Sequence, residues 1–479
     1  MVNGMLIIGM VVMLIMTLAA SLYILVYFQH EEDRNTAWAP KIVVLIGLSL
    51  AAWIVLALPL DIANTKVDGG LRIDVVWQIL YTTIAIWCIA VIPFAIFFYE
   101  SEDPEGKKSA LFTALKWTIA STVVALLATF IMWALLGTAE IPVSLYQAPA
   151  SLLMPASAPV PDPVCVADEC ARVEAMLTLG VTPVVYVTAM ITFLGWFFFC
   201  IFGGIGLAAL PLDLFSEYAN RPVRIDLEEY AKQKMVLNER SVKLLEIGRK
   251  FQADGRHQKR TRANRRTYNK FKQAVYFLDK DWEKVKVAYK QRGGNPLLQL
   301  LSLVLGIVSL GLSLLWLIHV IAYVFVWPPT TTFLNGYFVR LDNVFPLFGT
   351  ITYAIFASYL LCCVVKGNIK FGLRIFFFQI HPMRIGNTMM NSLLFNTELI
   401  LVCSVAVVHF CQRAFDIYTR LTTIDQLLGN EVENLRGLKY FFQNSVFLWI
   451  FVLLALLSAV WLLIFPKEHK QDKFDDDDD

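Results

Sequence analysis

Charge is what this sequence has little of. Only 17% of its 479 residues are Asp, Glu, Lys or Arg, against 57% hydrophobic and 13% aromatic. A soluble domain carries roughly 25% charged and about 45–50% apolar residues. The shortfall leaves too little polar surface for a dispersed globule and excludes a soluble enzyme. Also missing are a Walker-type Lys-Ser/Thr loop, an HExxH helix, a DxDxDG loop and a GxSxG elbow. No enzymatic activity, cofactor or metal site is therefore expected. The strict alternation of a membrane β-barrel is absent too.

Long apolar runs are present instead. A bilayer core about 30 Å thick needs roughly 20 apolar helical residues, because lipid cannot satisfy an exposed backbone. Nine stretches qualify: residues 5–28, 42–60, 75–99, 117–136, 183–210, 297–327, 344–365, 388–411 and 440–465. The fold class is all-α, a polytopic membrane protein. The first run has no charged residue before Glu31 and reads as a signal anchor, not a cleaved leader. The expected layout is a first transmembrane block over 1–215 with an exterior loop at 137–182. A basic hairpin at 216–296, a second block at 297–465 and an acidic tail at 466–479 follow.

Lys and Arg in the connections set the orientation. With the N-terminus exterior or lumenal and the C-terminus cytosolic, the cytosolic connections hold 33 of these residues and the exterior ones 8. Without the longest connection the split is 12 against 8, in the same direction.

Residues 221–294 carry 21 Lys and Arg against 9 Asp and Glu. Tyr268, Phe271, Val275, Leu278, Trp282, Val285 and Tyr289 recur at spacings of 3 and 4, a heptad-like seam. Tyr230, Leu237, Leu244 and Phe251 fall every seven residues upstream, and Asp254-Gly255 marks a turn between the halves. The pattern predicts a cytosolic helical hairpin with coiled-coil character. Three uses stay open: packing on itself, docking a partner, or touching anionic lipid. The lipid reading rests on the basic run Lys259, Arg260, Arg262, Arg265 and Arg266. A membrane-fixed chain gives no reason to expect nucleic acid.

Two spans end in nearly the same words, ALPLDIA at 57–63 and ALPLDLF at 209–215. Pro59 and Pro211 read as helix stops, with Asp61 and Asp213 placed at the headgroups. Spans two and five cross in opposite directions, as an inverted three-helix repeat would require. Generic helix stops are the competing reading.

Few polar residues sit at membrane depth, where an ionisable group costs several kcal/mol (~3) unless paired or hydrated. Asn391, Glu398 and His409 in the eighth span are spaced by seven and eleven, which places them on one side of a helix. They line a substrate or proton path, or they make interhelical hydrogen bonds. His319 in the sixth span is a further candidate partner. Cys165 and Cys170, close together after a proline-rich stretch, predict a small exterior disulfide ring.

ALPLDIA at 57–63, FFYESEDPEGKKSALFTALKWT at 97–118 and GIGLAALPLDLF at 204–215 resemble the limb-region-type membrane protein family. That family includes lipocalin-receptor-like proteins and a lysosomal cobalamin transporter subfamily, which the second motif resembles most. The resemblance implies a lysosomal or other endomembrane location and a part in cobalamin export. It also implies an ABC transporter partner that this chain escorts. The alternative is a receptor or scaffold that recruits trafficking adaptors through the hairpin.

Overall fold

The computed structural model describes residues 4–30, 33–34, 36, 38–67, 69–101, 107–147, 171–254, 262–326, 331–375, 378–380, 383, 386 and 388–464. Among them, nine helices are long and apolar enough to cross a membrane. They are α1 (Gly4–Phe28), α2 (Trp38–Val67), a third span, α5 (Lys107–Leu136), α6 (Pro183–Ala219), a sixth span, α11 (Phe348–Phe371), α12 (Met390–Ala414) and α14 (Val446–Ile464). The third span joins α3 (Ile73–Ile86) to α4 (Ile92–Glu100) through a π-helical turn, Trp87–Val91. The sixth is α9 (Pro296–His319) continued by a π-helical turn, Val320–Val324.

Proline explains part of this irregularity. A proline removes the N–H that would bond the carbonyl four residues earlier, and in lipid that carbonyl needs another donor. Pro93 frees the carbonyl of Ile89, and the Thr122 hydroxyl of α5 donates to it at 3.2 Å. Pro211 frees that of Leu207, and Ser313 Oγ donates to it at 2.7 Å. Pro59 and Pro211 do not stop their helices, contrary to expectation: α2 runs on to Val67 and α6 to Ala219.

Two compact units divide the chain, Met1–Ala209 with Leu312–Ala459, and Leu210–Gly311 with Val460–Asp479. Their boundaries cut α6 and α9 inside the helices, so both expected transmembrane blocks contribute to the first unit.

The first unit is built around α12. Of its 18-residue apolar window 83% is buried, against none of the fourth span's, which makes α12 the centre and α5 a lipid-facing rim. Phe410 of α12 packs on Trp316, Trp316 on Phe415 and Phe415 on Phe338, all fully buried, with centroid separations of 5.0–5.1 Å. Such aromatic pairs add about 0.5–1.5 kcal/mol each beyond area burial. Glycine allows the closest approach. A Cβ on Gly206 of α6 would meet the Cys363 carbonyl oxygen at 1.7 Å, and one on Gly367 of α11 would meet that of Phe202 at 1.9 Å. The two helices thus press backbone to backbone in antiparallel register.

The described residues between the spans carry regular structure in three places. β1 (Thr138–Gln147) and β2 (Ala171–Gly180) pair antiparallel from Thr138 with Gly180 to Gln147 with Ala171. α10 (Phe333–Val344) precedes α11. A π-helical segment, Asp425–Val432, and α13 (Lys439–Gln443) lie between α12 and α14. Glu140 N donates to Asn434 O and Arg436 N to Thr138 O, both at 2.9 Å, so β1 is tied to this last connection. Lys439 and Glu140 add an ion pair.

In the second unit, α7 (Leu227–Asp254) and α8 (Arg262–Lys290) form an antiparallel pair. Tyr230 stacks on Tyr289 with centroids 4.3 Å apart, and Leu237, Val285 and Ala288 are buried. A Cβ on Gly248 would lie 3.2 Å from Phe271. Val275, placed in the seam by its spacing, is exposed. The feet of the pair meet at Gly293, where φ is +95° and a Cβ would sit 3.2 Å from Arg224 N.

Candidate functional site

The polar groups along α12 are met one by one by different neighbours. At its start, Asp33 is buried and accepts from Met390 N at 3.0 Å and from Tyr99 Oη at 3.1 Å. A carboxylate there satisfies an orphan N–H and sits at the positive end of the helix. Asn391 Nδ2 donates to Glu100 Oε1 at 2.6 Å. Glu398, two turns on, is half-buried and makes no hydrogen bond among the described residues; Cys88 of the third span is its electrostatic neighbour.

At the far end, His409 is fully buried. Trp196 Nε1 donates to its Nδ1 at 3.0 Å. An indole nitrogen can only donate, so Nδ1 is the acceptor and Nε2 carries the proton toward Glu433 Oε1, 3.1 Å away. Arg413 Nη1 lies 3.7 Å from the same oxygen. Burial opposes ionisation of Glu433, but the His409 bond and the Arg413 charge outweigh it and hold its carboxyl below the usual range. His319 stands apart from this group. Its Nε2 lies 2.8 Å from the Ala414 carbonyl oxygen, with its ring stacked on Phe415 at 4.7 Å. Asn391, Glu398, His409 and His319 therefore do not converge on one site.

Asp61 is buried in the first unit. It accepts from Trp77 Nε1 at 2.9 Å, Ile424 N at 3.0 Å and Thr423 N at 3.3 Å. The carboxylate expected at the headgroups instead pins the start of the 425–432 segment to α2. Five residues on, Lys66 pairs with Asp342 and lies 3.6 Å from the Tyr418 ring centroid. Tyr418 Oη donates to Asp342 Oδ2 at 2.8 Å, and Gly349 N to Oδ1 at 2.8 Å. Burial alone would raise the Asp342 carboxyl; the bonds from Lys66 and Tyr418 prevail and lower it. Asp213, its counterpart in the repeated words, is half-buried in the second unit.

No sequence motif marks Trp77, Lys66, Asp342, Tyr418 or Glu433, and Trp196 reads from the sequence as an interfacial anchor or packing group, not a site. Asp61 meets Ile424 across 363 positions and His409 meets Glu433 across 24; no local pattern marks either pair. Cys165, Cys170, Lys259 and Arg260 lie outside the described residues, whereas Arg262, Arg265 and Arg266 fall in the opening turns of α8. Among the described residues no cluster of His, Cys, Asp and Glu could hold a metal ion.

These features define a multi-pass α-helical membrane protein whose central helix is fastened at both ends by carboxylates from other segments. Residues 6–291 and 295–462 match the model for LMBR1-like membrane protein. The chain is 38% identical to a LIMR family protein of Dictyostelium discoideum, over 98% of this chain and 99% of that one. It is 34% identical to a LIMR family protein of Arabidopsis thaliana, over 98% and 97%, and 32% identical to one of Oryza sativa subsp. japonica, over 97% and 96%. The chain belongs to the LMBR1-like, or LIMR, membrane protein family. No solved structure matches it.

Proposed function

We propose that this protein is a membrane scaffold or escort, not a self-contained pore. The observation that supports this most is the separate bonding of Asn391 to Glu100 and of His409 to Trp196 and Glu433. A conduction path needs polar groups facing a common space. Here they are spent on neighbouring segments, and two membrane-length helices frame a hairpin rich in exposed side chains, Met235, Val242, Leu245 and Tyr276 among them. By the distribution of Lys and Arg the hairpin is cytosolic, the N-terminus lumenal or exterior and the C-terminus cytosolic. An endomembrane such as the lysosome is the favoured compartment. The favoured cargo is cobalamin, moved by an ABC transporter that this chain escorts.

The second reading is a receptor. The ordered ties between β1 and the 434–439 stretch favour it, since they give the lumenal side a built surface. The hairpin then recruits trafficking adaptors.

Proteoliposomes containing the chain alone test the escort reading. No cobalamin flux is expected from them. Flux by the chain alone that Glu398→Ala abolishes would overturn it.

A further inference from the structure

The root of the hairpin holds an open groove of about 610 Å³. Arg221, Lys232, Arg240 and Lys284 line it against Glu229 and Asp281, so cations outnumber anions two to one. None of the four is tightly neutralised within the groove. Arg240 Nη1 is 3.6 Å from Asp281, beyond hydrogen-bond length. Lys232 pairs at 2.9 Å with Glu228, an exposed neighbour one turn away, and such pairs contribute little. Lys284 makes no ion pair among the described residues. Arg221 is held in place by its bond to Tyr218 O at 2.9 Å and by stacking 4.1 Å from the Tyr218 ring. Among the described residues its other guanidinium donors have no partner.

Position supplies the second argument. Arg221 follows the end of α6 by two residues, and α9 begins at Pro296, just past the glycines where the two feet touch. The groove thus adjoins the hairpin-side ends of two membrane-length helices, and on that ground we place it near the headgroup layer. Its wall also includes Val223, Ile225 and Val236, apolar surface suited to a glycerol and upper acyl segment. We infer that this groove binds the phosphorylated headgroup of an anionic membrane lipid, at the root of the hairpin and not through the basic run near its tip. Anionic lipid in the facing leaflet follows from the orientation proposed above; binding by purified protein does not depend on it, so the two fail separately.

Full-length protein in neutral detergent is titrated with dioctanoyl phosphatidylinositol phosphate, dioctanoyl phosphatidylcholine and inorganic phosphate. The inference expects saturable binding of the first, none of the second, and at least ~10-fold weaker binding of the third. At about 1 kcal/mol per basic residue near a charged surface, and more for reversal, the pair K232E/K284E weakens binding ~10-fold or more. K232R/K284R retains it, which separates lost charge from lost folding. Lys243 is exposed on α7 outside the groove, and K243E leaves affinity unchanged. Equal loss with K243E, inorganic phosphate as tight as the lipid, a co-purified protein over the groove in place of lipid, or no binding at all would each overturn the inference.

Discussion

Replacing Asp61 by Ala is the sharpest test of how the bundle is closed. The side chain is 1% exposed and serves two well-aligned donors, Trp77 Nε1 at 2.9 Å and Ile424 N at 3.0 Å. Thr423 N, at 3.3 Å, is a weaker third. A buried donor left without an acceptor costs about 1–3 kcal/mol. Two of them give about 4 kcal/mol, and the third adds little because it is only partly buried. Both strong donors meet Oδ2 and only Thr423 N meets Oδ1, so Asp61→Asn, with its amide oxygen in the Oδ2 place, keeps the two strong bonds and loses ~1 kcal/mol or less. The effect should be local first. Hydrogen exchange on the detergent-solubilised full chain is expected to rise sharply across 421–432, which Asp61 anchors, while the hairpin α7–α8 stays unchanged. Thermal unfolding should fall for Ala and less for Asn. Protection over 421–432 equal to wild type in Asp61→Ala would refute the reasoning, because the carboxylate would then not hold that segment.

Three further outcomes are expected from the packing and bonding of the bundle. Gly206→Ala and Gly367→Ala each force a methyl into a backbone carbonyl of the facing helix, a clash that exceeds the usual 1–3 kcal/mol of overpacking; yield of monodisperse protein is expected to collapse. Gly311→Ala, with open space around its Cβ, should leave yield intact or improve it. Trp196→Phe removes the donor to His409 Nδ1 and is expected to destabilise by about 3 kcal/mol, from an orphaned acceptor plus lost volume. ¹⁵N spectra of labelled histidine should report the Nε2–H tautomer in wild type, and the opposite tautomer there would refute the bonding pattern. Burial raises the Asp425 carboxyl, with the Gln412 bond only partly offsetting it. A raised carboxyl destabilises the folded state at neutral pH, and the penalty fades as pH falls through the folded value. Asp425→Asn should therefore gain about 0.5 kcal/mol at pH 7 after solvent screening and nothing near pH 3. Melting curves at both pH values check the sign.

The nine spans were legible because apolar length is a local property, and the expected ranges differ from the helices chiefly at their ends. Those ends moved for physical reasons. Ser313 satisfies the Leu207 carbonyl that Pro211 frees, so a proline that reads as a stop becomes an interior residue. The hairpin was legible from its spacing, except at Val275, where the seam opens to solvent. The structure between the spans was not legible. The described parts of 137–182, 331–343 and 412–439 lie between spans without apolar length of their own, and what holds them is contact between distant stretches: Glu140 with Asn434, Asp61 with Ile424, Lys66 with Asp342. For the site, spacing placed Asn391, Glu398 and His409 on one side of α12. A side of a helix at the centre of a bundle faces several neighbours along its length, and each residue met a different one.

That last point bears on where function resides. In a membrane interior a polar side chain has two uses, to bond a neighbouring segment or to meet something that moves. His409 is committed through both ring nitrogens, Asp61 through both oxygens, and Asn391 to Glu100. Breaking any of them disturbs packing, so loss of activity on their substitution cannot by itself identify a pathway. Glu398 differs, being ionisable, half-buried and without a hydrogen bond among the described residues. Its removal leaves no partner stranded. Glu398→Gln and Glu398→Ala should therefore fold as wild type, and any functional defect they carry reads on function alone. A marked loss of stability in both would show that Glu398 is bonded after all and return it to the packing set.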